Sequence, residues 1–288
     1  EGEGLASGIG CRRMKSRVIN LAGIEESFAL NDRGLAYGDG VFETILVHAG
    51  QPVWWEEHWQ RLLLGARVLG IPGPNENVVL ENCRKLLSGE SRCVLKIILT
   101  RGSGGRGYSP PDNPDPRIIL SIHPAPEIVR DQITLRWCET RLAEQPLLAG
   151  IKHLNRLEQV LARNEWQDPS IFDGLMCDQD GYVVCATAAN VFVKLGGQWL
   201  TPRIDRAGIA GIARAWVVKQ WPHVREARFS RPEAEQAEAV FICNAVRGIL
   251  GVSRLGESGF STDGEIGKLQ KRLAMEQPAF ASGEESGA

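Results

Sequence analysis

Apolar positions along this chain follow two alternating rhythms, one of strands and one of helices. Residues 17–21 and 41–47 read as strands, the second rich in β-branched and aromatic side chains. Ala49-Gly50 turns toward a short strand at 52–54. From residue 56 to 69 the period lengthens. Trp59, Leu62, Leu63, Ala66 and Leu69 share one face, which predicts a helix. Pro72-Gly73-Pro74 stops it, and a second helix over 75–87 opens on a capping asparagine. Strands follow at 94–100 and 117–122. Beyond Pro124-Ala125-Pro126 the alternation resumes. A strand is predicted at 133–137, others near Leu175, Val183 and Val191, and another at 199–201. Then come a helix over 209–221, a strand over 225–229, a short helix over 232–236, strands at 239–243 and 249–252, and a helix over 266–276. This mix predicts an α+β fold in two domains. A smaller one spans 14–123, a linker 124–130, and a larger one 131–278. Residues 1–13 and 279–288 are expected to be a disordered extension and tail, with Met14 a natural start. Clefts between domains are common ligand sites.

One stretch joins this pattern to chemistry: AGIKHLNRLEQVLARNEW, residues 149–166. Leu154, Leu157 and Leu161, with Val160 beside them, fall on one helical face. Burial of that stripe would hold Lys152 at the mouth of the helix, with Gly150 turning the backbone in ahead of it. A lysine so held can condense with a carbonyl cofactor. Taken alone, a lysine in a first helical turn is more often solvated. The loop Gly102 to Gly107 matches G-x-G-x-x-G by letter and follows a strand. Yet Pro110-Pro111 excludes the helix a dinucleotide fold needs next. What is left is a glycine-rich loop displaying Arg101, Arg106 and Tyr108, either a flexible connection or an anion clamp. Gly208 to Arg214 opens a helix whose free amides can bind phosphate, although a plain glycine turn reads the same way. Arg61 lies on the polar side of its helix.

Composition narrows the classes. The chain has 288 residues, 43% hydrophobic and 24% charged, enough for one large domain or two medium ones. A net charge of −2 makes no electrostatic case for nucleic acid or a membrane surface. No apolar run approaches the roughly 20 residues that span a bilayer. Seven scattered cysteines without a C-x-x-C pair, and five dispersed histidines, predict reduced thiols in a cytoplasmic protein rather than a disulfide frame or metal site.

Together the motifs stand in a telling order: Asp32-Arg33-Gly34, Tyr37-Gly38-Asp39-Gly40-Val41-Phe42-Glu43-Thr44, His58-x-x-Arg61-Leu62, the loop RGSGGRGY from Arg101, Gly150-Ile151-Lys152-His153-Leu154-Asn155-Arg156-Leu157, Asn190-Val191-Phe192, Thr201-Pro202 and Gly211-Ile212. Over residues 19–252 this order resembles the class IV (fold type IV) pyridoxal-phosphate enzymes. That family includes D-amino-acid and branched-chain aminotransferases and the 4-amino-4-deoxychorismate lyases. RGSGGRGY and AGIKHLNRLEQVL resemble the lyases in particular. The resemblance implies two domains with pyridoxal 5'-phosphate in the cleft between them, a homodimer, and a small anionic substrate. Lys152 matches the Schiff-base lysine and Arg61 the arginine that grips the cofactor phosphate. Gly211, Ile212 and Ala213 match the backbone phosphate cup, where aminotransferases often carry threonine at the position of Ala213. Asn244 and Ala245 match a second phosphate-side turn, and Arg106 and Tyr108 match substrate-carboxylate positions. Cys185 stands where the family commonly has an acid on the pyridine nitrogen. A thiol is a weak, normally neutral partner there, so the pyridinium is less favoured. The implied reaction converts aminodeoxychorismate to 4-aminobenzoate and pyruvate for folate synthesis, with Lys152 as general base. An aminotransferase on the same scaffold, and a non-catalytic cofactor-binding protein with a decayed site, are the alternatives.

Overall fold

The computed structural model describes residues 15–129, 131–261 and 263–281. Its first part runs β1 (Ser16–Ile19), α1 (Arg33–Tyr37), β2 (Gly40–His48), β3 (Gln51–Pro52), α2 (Trp55–Leu69), α3 (Glu76–Leu86), β4 (Arg92–Thr100) and β5 (Arg117–His123). The strands form one antiparallel sheet in the order β1-β5-β4-β2-β3. The second part runs β6 (Ile133–Trp137), α4 (Leu157–Arg163), β7 (Ile171–Cys177), β8 (Val183–Ala186), β9 (Asn190–Leu195), β10 (Gln198–Pro202), α5 (Ile212–Gln220), β11 (Arg225–Ala227), α6 (Arg231–Glu235), β12 (Ala239–Asn244), β13 (Gly248–Leu255), β14 (Ser258–Gly259) and α7 (Gly264–Glu276). Its mixed sheet has the order β11-β10-β9-β12-β13-β6-β7-β8, with β14 pairing β13.

Strand alternation on β2 ties the two parts together. Ile45 and Val47 point to a core under α2 and α3, with Trp59, Leu62, Val79 and Cys83. Leu46 points the other way. With Val53 and Trp54 it joins a core built from the second part, including Phe192, Phe241 and Leu273. There the Phe192 and Phe241 rings stack at 4.6 Å, with Trp199 edge-on to Phe241 at 5.2 Å.

Two expectations need correction. The helix predicted around Lys152 is short. Only Leu157–Arg163 is helical. Leu157, Val160 and Leu161 are 76%, 52% and 59% exposed, so the predicted stripe is not buried; Ala162 and Trp166 are buried instead. Residues 150–154 are stitched between two neighbours by backbone bonds: Gly150 N to Gly208 O, Ala210 N to Gly150 O, Phe42 N to Lys152 O and Leu154 N to Gly40 O, all 2.9–3.0 Å. Tertiary pairing of that segment displaced the local helical period. The second correction concerns the tail. Pro278–Phe280 forms a 3-10 turn, with Ala279 buried and Phe280 5.1 Å from the Trp54 ring. The expected disorder of 1–13 and of 282–288 lies outside the described residues.

Candidate active site

A cavity of about 600 Å³ is lined by β2, α2, the 150–156 segment, α4, β8 and the turns that precede α5 and follow β12. Lys152 reaches it from the stitched segment, where Gly150 holds φ at +86°, a conformation that suits glycine. The Lys152 amine lies 4.3 Å from the centre of the Phe42 ring. Among the described residues it has no hydrogen bond or ion pair. Burial, and then the nearby Arg61 charge, push it down to about 8, against a smaller opposing pull from Glu43. Near neutral pH a useful fraction is therefore the neutral nucleophile.

Arg61 is fixed from behind. Its Nε donates to Glu43 Oε1 at 2.8 Å and its Nη2 to Glu43 Oε2 at 2.6 Å. Its Nη1 donates to the Ala210 carbonyl at 3.0 Å. A guanidinium has five N–H groups. Glu43 and Ala210 engage three, so one on Nη1 and one on Nη2 stay free to form a fork. Glu43 is buried, and His58 Nδ1 lies 2.6 Å from its Oε2. Burial alone would raise the Glu43 carboxyl, but the Arg61 charge and the hydrogen bonds of Arg61 and His58 hold it down at about 2.

Beside Arg61, Gly211 caps the start of α5. The first amides of a helix have no intrahelical acceptor and favour an anion. A Cβ on Gly211 would fall 1.9 Å from Asn190 Oδ1, so the residue has to be glycine. Asn190 Nδ2 in turn holds the Ile209 carbonyl at 3.0 Å. On the adjoining wall, Asn244 Oδ1 accepts from Val246 N and Arg247 N at 3.0 and 2.8 Å, closing the turn that carries Ala245.

Lys152, Arg61, Cys185, Gly211, Ile212, Asn244 and Ala245 thus line one cavity. Three expected residues do not. The Ala213 side chain is buried in the core with Val217 and Phe241, while its backbone amide belongs to the first turn of α5. Arg106 and Tyr108 lie outside it, Tyr108 at 85% exposure. Their loop is tied down elsewhere. The Arg33 guanidinium donates to the carbonyls of Gly107, Tyr108 and Ser109 at 2.9–3.3 Å, and the Tyr108 ring sits 5.5 Å from Tyr37. The Cys185 thiol is pushed up to about 12, chiefly by burial, and is neutral.

The cavity also holds residues that the sequence reading passed over. Arg156, Gln159 and Arg163 line it, and Glu43 backs it. A signal existed for three of the four. Arg156 and Arg163 are seven residues apart, which puts them on one helical face. Glu43 is a lone acid in an apolar strand, where a charge needs a partner. Among the described residues lining the cavity, four are cationic and none is Asp or Glu.

A phosphorylated aldehyde fits these parts. An unpartnered amine faces its carbonyl, a free guanidinium edge and a helix start suit its phosphate, and no carboxylate on the wall repels it.

Residues 40–255 match the family described as amino-transferase class IV. The chain is 35% identical over 252 residues to aminodeoxychorismate lyase of Vibrio harveyi, covering 85% of this chain and 93% of that one. Among solved structures, 4-amino-4-deoxychorismate lyase of Pseudomonas aeruginosa superposes with a TM-score of 0.84 at 39% identity, over 91% of this chain and 99% of that one. The branched-chain amino acid aminotransferase of Escherichia coli shares the fold, with a TM-score of 0.75 at 21% identity over 94% and 96% of the two chains. The lysine, the arginine fork and the glycine-opened helix therefore fall on the scaffold that these proteins share, and the chain belongs to the class IV amino-transferase family of pyridoxal-phosphate enzymes.

Proposed function

We propose that this chain is a 4-amino-4-deoxychorismate lyase, releasing 4-aminobenzoate and pyruvate. The observation that carries the reading is an unpartnered Lys152 amine facing a cationic cavity without an acid on its wall. The substrate brings an amine and two carboxylates. Arg61 and the start of α5 hold the cofactor phosphate. The bound cofactor supplies the conjugated system into which carbanion charge spreads. Lys152, pushed down to about 8, takes the proton from the amine-bearing ring carbon as general base. The enolpyruvyl group then leaves and the ring becomes aromatic.

Cys185 favours this reaction over transamination. A neutral thiol gives the ring nitrogen no anionic partner, so the electron sink is shallower. Aromatisation supplies driving force that transamination lacks. Purified protein with pyridoxal phosphate and aminodeoxychorismate is expected to yield a fluorescent aromatic amine and pyruvate in equal amounts. Formation of a keto acid from D-alanine or a branched-chain amino acid with 2-oxoglutarate, and no aromatic amine, would overturn the reading.

We further infer a homodimer working in the cytoplasm. The six described cysteines are unpaired and buried, as suits a reducing compartment. The exposed Leu157, Val160 and Leu161 on α4 give a second copy an apolar surface beside the cavity. Across that contact the partner's glycine-rich loop would supply Arg106 and Tyr108. The inactive variants Lys152→Ala and Arg106→Ala, unfolded and refolded together, are then expected to regain about a quarter of wild-type activity, because half the dimers are hybrids with one intact site. No recovery would place Arg106 in the service of its own chain or of none.

A further inference from the structure

We propose that Arg156 and Arg163 form a second anion subsite in this cavity, which takes a carboxylate of the substrate separately from the cofactor phosphate; the proposal rests on the lyase reading. Arg163 is the last residue of α4 and Arg156 immediately precedes the helix, with Gln159 and Val160 between them on the cavity wall. The phosphate end is built from other elements, by Arg61 of α2 and the start of α5.

Each guanidinium is anchored along one part and open along the rest. Arg156 Nε donates to the His153 carbonyl at 3.0 Å, and its Nη2 meets His153 Nε2. The His153 ring is held neutral, pushed down to about 4 by burial and the Arg156 charge, and so accepts that bond. Nothing described accepts from Arg156 Nη1. Arg163 Nη1 donates to the Trp166 carbonyl at 3.1 Å, and its guanidinium lies 4.6 Å from the centre of the Trp166 ring. Nothing described accepts from its Nε or Nη2. Those contacts fix position without neutralising charge. Neither arginine forms an ion pair among the described residues.

Arg156 is half-buried and Arg163 exposed; a half-buried cation without a counterion is costly, and a bound carboxylate removes that cost. A further gap lies between them. Gln159 Oε1 is buried without a hydrogen-bond partner and can accept from a substrate N–H or O–H. The arrangement suits a dicarboxylate. Small monocarboxylate amino acids can occupy the Lys152 end but leave these two arginines unpaired, which makes the wall a determinant of specificity.

The test uses the holoenzyme and chorismate, a dicarboxylate lacking the amine and therefore unable to react with the cofactor. Arg156→Gln and Arg163→Gln are each expected to weaken chorismate binding in calorimetry by about tenfold or more. Pyridoxal-phosphate retention and the cofactor's absorbance should stay as in the wild type. Two variants guard against a folding effect at His153, which Arg163 does not touch. Chorismate binding that is absent in the wild type, or unchanged in both variants, overturns the subsite. So does loss of cofactor with chorismate affinity preserved, which would assign these arginines to the phosphate. The lyase reading fails separately. If the wild type makes no 4-aminobenzoate yet binds chorismate through both arginines, the subsite stands and the reaction is misassigned.

Discussion

Lys152→Ala is expected to reduce turnover by at least about 10²–10⁴-fold, the range associated with losing a positioned general base, while the protein remains folded. Two consequences separate this from general damage. Below pH 8 the buried ammonium of Lys152 lacks a counterion, and its folded pKa of about 8 lies under the ordinary value. Between about 8 and the ordinary value the unfolded chain holds more protons, so that penalty fades as pH rises through this window. Removing the group at pH 7 therefore leaves apoprotein that melts no lower than the wild type. In the wild type, capture of pyridoxal phosphate by apoprotein should speed up with pH and level off above about 8, because only the neutral amine attacks a carbonyl. Borohydride reduction should then fix the cofactor on the peptide containing Lys152. A label on any other lysine defeats the assignment.

Glu43→Gln is expected to be the most destabilising single change at the site. It removes the carboxylate that Arg61 and His58 share and leaves a buried guanidinium unpaired. Breaking one side of a buried pair costs about 3–5 kcal/mol. The pH dependence has a definite sign. The Glu43 carboxyl is held at about 2, below its ordinary value of 4.5. Its contribution is present above the unfolded pKa and is lost as pH falls from there through 2. The stability gap between wild type and variant, read by urea denaturation, should be widest near pH 7 and narrow on acidification. Arg61 also loses its backing, so affinity should fall more for pyridoxal phosphate than for pyridoxal, which has no phosphate to grip. Equal losses for both ligands would reduce Glu43 to a packing role.

Much of the architecture was legible because local rules and tertiary packing agreed. The α2 face of Trp59, Leu62 and Ala66 is buried as its period implied, and Asn75 caps α3 as expected. They disagreed around Lys152. A helical stripe of leucines was plain in the letters, yet the backbone of 150–154 pairs with Gly40, Phe42 and Gly208, and those bonds outweigh a weak local propensity.

By itself the sequence determined the strand and helix periods, the lysine, the arginine of α2 and the glycine that opens α5. Each is fixed by short-range spacing, and the ordered motifs carry the family. Tertiary structure alone decided which charges meet. Glu43 and Arg61 are 18 residues apart in sequence but share two hydrogen bonds, and Arg61 reaches Ala210 from 149 residues away. It also turned Arg106 and Tyr108 away from their own cavity and placed Arg156 and Arg163 on its wall. The physical reason is range: backbone periodicity acts over a few residues, whereas pairing of buried charge depends on which surfaces the whole fold brings within about 3 Å.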